Sequence, residues 1–157
     1  MANKGKLMDD YNVDKQQYLL FLVDDDVEDR DFFSMAMNEI EHDVQLTLFS
    51  SSEELLEYLS SGKPLPNAIF LDLYMPKIDG EACLSILRGN PSNDDICITI
   101  YSNYVDMEKT AQLFQKGANR FLKKPSTYSG LKKVLSRVIA SLKNNPSGGH
   151  TVFNYSE

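Results

Sequence analysis

Four short apolar runs in this 157-residue chain end on residues that can do chemistry. Tyr18 to Val23 runs into Asp24, Asp25 and Asp26. Ala68 to Leu71 runs into Asp72. Ile96 to Tyr101 is followed by Ser102, and Asn119 to Leu122 by Lys123, Lys124 and Pro125. Carboxylates brought together repel one another and resist ionising together. A hard divalent cation relieves that cost, and an all-oxygen set without His or Cys favours Mg²⁺ or Mn²⁺ over zinc. Mg²⁺ also binds phosphate oxygens, so the set points to phosphoryl chemistry. One aspartate would be the nucleophile and form an acyl phosphate. A lysine would hold a phosphoryl oxygen as a point charge, and a serine hydroxyl would donate to another. Taken singly, each residue has a plainer reading: a strand-end Asp as turn or cap, Lys-Pro as loop, Ser102 as N-cap. Agreement at four strand ends carries the inference.

The elements that must position these residues follow from hydrophobic spacing. Tyr18 to Val23 reads as a strand buried on both faces. Phe33, Ala36, Met37 and Ile40 keep i, i+3, i+4, i+7 spacing and predict a helix. Val44 to Phe49 alternates as a strand. Ser51 and Glu54 form a capping box ahead of Leu55, Leu56 and Leu59. A helix with Cys83, Ile86 and Leu87 follows Gly80, and another with Met107, Ala111 and Phe114 has Gly117 as its C-cap. Leu131, Val134, Leu135, Val138, Ile139 and Leu142 form the cleanest helical stripe. Five strand–helix units in strict alternation predict an α/β fold, a doubly wound parallel sheet of five strands. In such sheets ligands bind beyond the carboxyl ends of the strands, where the residues above gather.

Leu22-Val23-Asp24-Asp25, Phe70 to Gly80, Ile100-Tyr101-Ser102 and Gly117 to Pro125 together resemble the receiver domain of two-component response regulators. The resemblance covers about Gln17 to Lys143. It implies the flavodoxin-like, CheY-like (βα)5 fold with strand order 2-1-3-4-5. It also implies Asp72 as phosphoacceptor, Asp25 as acidic Mg²⁺ ligand, Asp24 acting through metal-bound water, and the Tyr74 backbone carbonyl as a further ligand. Ser102 matches the switching hydroxyl, and Phe121 the aromatic that turns inward as the hydroxyl moves. Lys124 matches the family lysine because Pro125 follows it, and that Lys–Pro bond is expected to be cis. The implied partners are a histidine kinase or histidine phosphotransfer protein upstream. Downstream, the helix 4–strand 5–helix 5 face would take a protein, as in stand-alone receivers, or a second copy of the chain. Catalysis would be limited to self-phosphorylation from a donor and slow self-dephosphorylation. Asn103 departs from the small residue usual after the switch hydroxyl. Tyr74 and Tyr104 sit two residues past Asp72 and Ser102, where two aromatics would shield an acyl phosphate from water.

Other readings are weaker. A haloacid-dehalogenase-type phosphohydrolase would make Asp24 the nucleophile, but Glu28 stands where Thr or Val is usual and no cap domain fits. An EF-hand fails because Asp29 replaces the required Gly. A receiver-fold adaptor that works without phosphorylation is the remaining alternative. The net charge of −7 offers no basic face for nucleic acid or an anionic membrane. No apolar run approaches the roughly 20 residues of a membrane helix. No secretory signal opens the chain. Cys83 and Cys97 form no CxxC pair and read as buried thiols in a reducing cytoplasm, and His42 and His150 are isolated. Residues 1–16 read as a flexible extension, 17–143 as the receiver domain, and 144–157 as a flexible tail beginning with linker chemistry. Val152, Phe153 and Tyr155 offer a docking peptide as the alternative to a disordered tail.

Overall fold

The computed structural model describes residues 17–104, 106–146 and 150–154. The expected N-terminal extension and Tyr155 lie outside them. Strands β1 (Tyr18–Val23), β2 (Val44–Phe49), β3 (Ala68–Leu71), β4 (Cys97–Ser102), β5 (Arg120–Lys123) and β6 (Thr151–Phe153) form one sheet. Helices α1 (Val27–Ile40), α2 (Ser52–Leu59), α3 (Gly80–Arg88), α4 (Met107–Gln115) and α5 (Tyr128–Asn144) connect them. The order is β2-β1-β3-β4-β5-β6, with every neighbouring pair parallel. The five expected strands and their order are present, and β6 is an addition.

Alternation along each strand divides the core between the two faces. Leu20 and Leu22 point with Phe70 and Leu122 towards Phe33 of α1 and Val134, Leu135 and Val138 of α5. Phe21 and Val23 point with Ile69, Leu71 and Ile100 towards Leu55, Leu84 and Leu113 of α2, α3 and α4. All of these side chains are buried.

Side-chain oxygens start the helices, as the residue types dictate. Asp26, Ser51, Asp79, Asp106 and Thr127 cap α1 to α5 in turn. Ser51 accepts from Glu54 N, whereas Glu54 reaches back to the N–H of Ser50, one residue earlier than a strict capping box requires. Gly117 (φ 110°) ends α4 in a Schellman arrangement, with Gly117 N donating to Phe114 O and Ala118 N to Leu113 O.

Three expectations need correction. No described peptide bond is cis, so Lys124–Pro125 is trans, the isomer an X–Pro bond favours by about 0.5–1 kcal/mol. Strands β4 and β5 lie one residue later than expected. The shift leaves Asn119 out of β5 and takes Lys123 in; Arg120 now opens the strand, fully buried, donating to Cys97 Sγ and to the Ser141 and Asn145 carbonyls at the end of α5. The flexible tail gives way to β6, which covers the polar backbone edge that β5 would otherwise expose and buries Phe153.

Candidate functional site

Backbone bonds running past the last strand residues align the site. Asp24 N donates to Phe49 O (3.1 Å), Asp72 N to Val23 O (3.0 Å) and Lys124 N to Ser102 O (2.8 Å). The sheet thus brings Asp24, Asp72, Ser102 and Lys124 to one edge, as the sequence pattern predicted.

The loop after Asp72 is closed tightly. Gly80 N donates to Leu73 O (2.8 Å), and Ser52 Oγ donates to Ile78 O (2.9 Å). A Cβ on Gly80 would lie 2.1 Å from the Asp72 carbonyl oxygen, so only glycine fits. Lys77 holds φ 65°, a left-handed conformation costly for a side-chain-bearing residue.

One oxygen from each of Asp24, Asp25 and Asp72 lies within 4.8 Å of the others. Asp24 and Asp72 are buried and Asp25 is exposed. Asp26 stands apart from this group because its side chain is spent on the α1 cap. Burial pushes the Asp72 carboxyl up; Lys124 opposes the rise and Asp24 adds to it, leaving it at about 7. Two buried carboxylates and a third at the surface, with no His or Cys joining the group among the described residues, suit a hard divalent cation.

Lys124 places its ammonium among these carboxylates. Its ammonium lies 2.7 Å from Asp24 Oδ2, 2.8 Å from Asp29 Oδ2 and 3.6 Å from Asp72 Oδ2. Burial alone would favour the neutral amine. The hydrogen bonds to Asp24 and Asp29 and the charge of Asp72 outweigh it and hold Lys124 firmly protonated. The ammonium also sits 5.0 Å above the Tyr101 ring. The buried Tyr101 phenol is itself pushed well up, by burial first and then by Asp29, Asp24 and Asp72.

Ser102 is fully buried, and its Oγ accepts from Tyr104 N at 3.4 Å. Phe121 is buried at 1% exposure beside Ile100, Leu113 and Ala118. An aromatic that turns inward was expected there, and in this structure the Phe121 ring lies inside. Tyr74 and Tyr104 are exposed and share a cavity of about 270 Å³ with Phe121 and Lys109. Asn103 is not with them. It lines a separate opening of about 240 Å³ beside Asp29, Tyr101 and Lys124.

Sequence reasoning missed Asp29, Tyr101 and Arg30, whose guanidinium donates to Asp24 O at 2.7 Å. Asp29 had a signal: it lies four residues after Asp25, in the first turn of a helix starting at the strand end. Tyr101 was readable only as a strand residue.

The response regulator receiver domain family model matches residues 20–136. A predicted chemotaxis protein CheY of Rhizobium etli is 27% identical over 124 residues, covering 79% of this chain and 94% of its own. Among solved structures, the phosphorylated cyanobacterial phytochrome response regulator RcpA superposes with a TM-score of 0.74 at 20% identity, over 82% of this chain and 95% of that one. The Mn²⁺-bound form of response regulator Rcp1 gives 0.71 at 22% identity, with the same coverages. The family match spans most of the folded chain and takes in all four strand ends. The chain belongs to the response regulator receiver domain family.

Proposed function

We propose that Asp72 is the phosphoacceptor of this two-component receiver. The observation that carries the reading is a buried carboxyl flanked by two metal-competent carboxylates and one lysine ammonium. Receiver domains are signalling modules and not turnover enzymes. The chemistry here is a single transfer from a phosphohistidine of a kinase or phosphotransfer protein, or from a small acyl phosphate. A carboxylate oxygen of Asp72 forms the new P–O bond as the donor's bond to phosphorus breaks: the P–N bond of phosphohistidine, whose imidazole leaves and takes a proton from water, or the P–O bond of an acyl phosphate, whose carboxylate leaves.

Both oxygens of Asp24 are engaged, Oδ1 by Asp26 N and Oδ2 by Lys124. That favours Asp72 over Asp24 as nucleophile. Asp25, Asp72, the Tyr74 carbonyl and, through water, Asp24 would hold Mg²⁺, with Mn²⁺ as a substitute. The ion would supply neutralisation of phosphoryl oxygens. Lys124 holds one phosphoryl oxygen and Ser102 donates to another. Movement of Ser102 and of the Phe121 surroundings shifts the population of the α4–β5–α5 face, which a downstream protein reads.

Incubation with a labelled acyl phosphate and Mg²⁺ tests the transfer. Stoichiometric label on the wild type, absent from Asp72→Asn, is the expected outcome. Label retained by Asp72→Asn, or continuous release of inorganic phosphate from phosphomonoesters, would overturn it.

A further inference from the structure

The C-terminal segment lies on the face just assigned to the downstream partner. Strand β6 runs parallel to β5, with Arg120, Phe121 and Leu122 in register with Thr151, Val152 and Phe153. Just before it, the His150 ring stacks on Phe114 of α4, with centroids 4.8 Å apart and planes at 11°. At its end Phe153 is buried, with the Arg137 guanidinium of α5 6.0 Å from its ring centre. Four consecutive residues therefore contact α4, β5 and α5 at once.

We propose that residues 150–153 are a resident ligand of the α4–β5–α5 face, and that the downstream partner docks by adding its own extended segment to the same β5 edge. The proposal rests on the reading of that face as the output surface. The partner chemistry is a parallel β-strand with an aromatic side chain at the Phe153 position, since backbone pairing supplies affinity and the side-chain site supplies selectivity. Such pairing tolerates many sequences, so an edge that accepts Thr-Val-Phe accepts similar strands.

The segment is built to be displaced. It is three residues long, against about 5–6 in an ordinary strand. Thr151 and Val152 are exposed. Its tether to α5 holds it near the edge at an effective concentration in the ~mM range, so a free partner competes only if the resident strand loosens. The coupling to Asp72 is geometric. His150 is held by α4, whereas Val152 lies beside Phe121 on the strand that leads to Lys124. A shift of α4 relative to β5 cannot preserve both contacts. By reciprocity, whatever loosens the strand from the activated form strengthens activation when the strand is removed.

The test uses the full chain. Amide exchange along residues 151–153, where alternate amides face β5, is compared with and without Mg²⁺ and beryllofluoride. Protection is expected at rest and a fall of about tenfold on activation. Phe153→Asp is expected to tighten beryllofluoride binding by the same factor. A peptide of residues 145–157 is expected to shift the β5 amides of Phe153→Asp and not those of the wild type. This arm does not depend on Asp72, so it separates failure of the strand-accepting edge from failure of the phosphoacceptor reading. No binding of the peptide to Phe153→Asp overturns the docking edge. Protection and affinity both unchanged, while beryllofluoride binds wild type and not Asp72→Asn, overturn the coupling. Protection that rises with protein concentration alongside a dimeric mass assigns the strand to a second copy and overturns the resident ligand.

Discussion

Lys124 is bound more closely to Asp29 than to Asp72: its ammonium lies 2.8 Å from an Asp29 oxygen and 3.6 Å from the Asp72 carboxylate. A lysine ammonium has three donors. Asp24 and Asp29 engage two of them, which leaves one for a phosphoryl oxygen on Asp72 while Asp29 draws the ammonium towards itself. Asp29 is therefore a positioning residue that competes for the cation.

Asp29→Asn should release that competition. Beryllofluoride affinity and the rate of labelling by an acyl phosphate should rise by about three- to tenfold, roughly 1 kcal/mol, while Asp29→Glu should stay near wild type. Titration and single-turnover labelling of the three proteins check this. A lower rate for Asp29→Asn would mean that Asp29 aims Lys124 and does not divert it. The Asp29 side chain is one-third exposed, so loss of the pair should cost at most about 1 kcal/mol of stability.

The raised Asp72 carboxyl makes metal-free stability fall with pH. Its folded value of about 7 exceeds the unfolded value of roughly 3.9. Between those limits the native state holds more protons than the unfolded chain, so stability declines as pH rises, and the full loss is in place above the folded value. Urea melts in a chelator from about pH 5 to about pH 8 should show this slope. Asp72→Asn should remove it and gain ~1–3 kcal/mol at the alkaline end. An unchanged slope in Asp72→Asn would place the titration elsewhere.

Tyr74 and Tyr104 are exposed at 62% and 63% and face one cavity that Leu73, next to Asp72 in the chain, also lines. Their bulk should hinder the water that hydrolyses an aspartyl phosphate. Tyr74→Asn with Tyr104→Glu should shorten the phosphoryl half-life by about tenfold, a barrier change of ~1.4 kcal/mol. Decay of purified, labelled protein measures it, and equal half-lives would dismiss the shielding role.

Gly80→Ala should be severely destabilising. The new methyl would meet the Asp72 carbonyl oxygen, which is backbone and cannot swing away. A loss of about 3 kcal/mol or more in denaturant melts is expected, with weakened beryllofluoride binding because the Asp72 loop must move. Gly62→Ala offers a contrast: nothing surrounds that position, and its cost comes only from φ 78°.

The strand ends were legible because each buried strand is a continuous apolar run, and a charged or hydroxyl residue marks where that run stops. The start of α2 was legible for a local reason too, the Ser51 capping oxygen ahead of a periodic stripe, whereas the other helices were read from their apolar spacing. Lys124 and Asp29 are 95 residues apart, and no local pattern links them. Arg120 was legible only as a residue of the fifth strand. Its burial depends on Cys97 and on the carbonyls ending α5, which only the tertiary fold supplies. Strand β6 follows a Pro-Ser-Gly-Gly stretch and spans three residues, too short for alternation to register. Its pairing partner is an edge the sequence could not mark as open. The inward Phe121 was hidden likewise, since burial of a β5 residue depends on α4 packing over it.

Mg²⁺-dependent binding of beryllofluoride to the wild type and to Asp72→Asn tests the central claim most directly. Saturable binding at one site per chain, abolished by chelator and by Asp72→Asn, is the expected result. Binding that survives Asp72→Asn, or a wild type that never binds in saturating Mg²⁺, would contradict Asp72 as the phosphoacceptor.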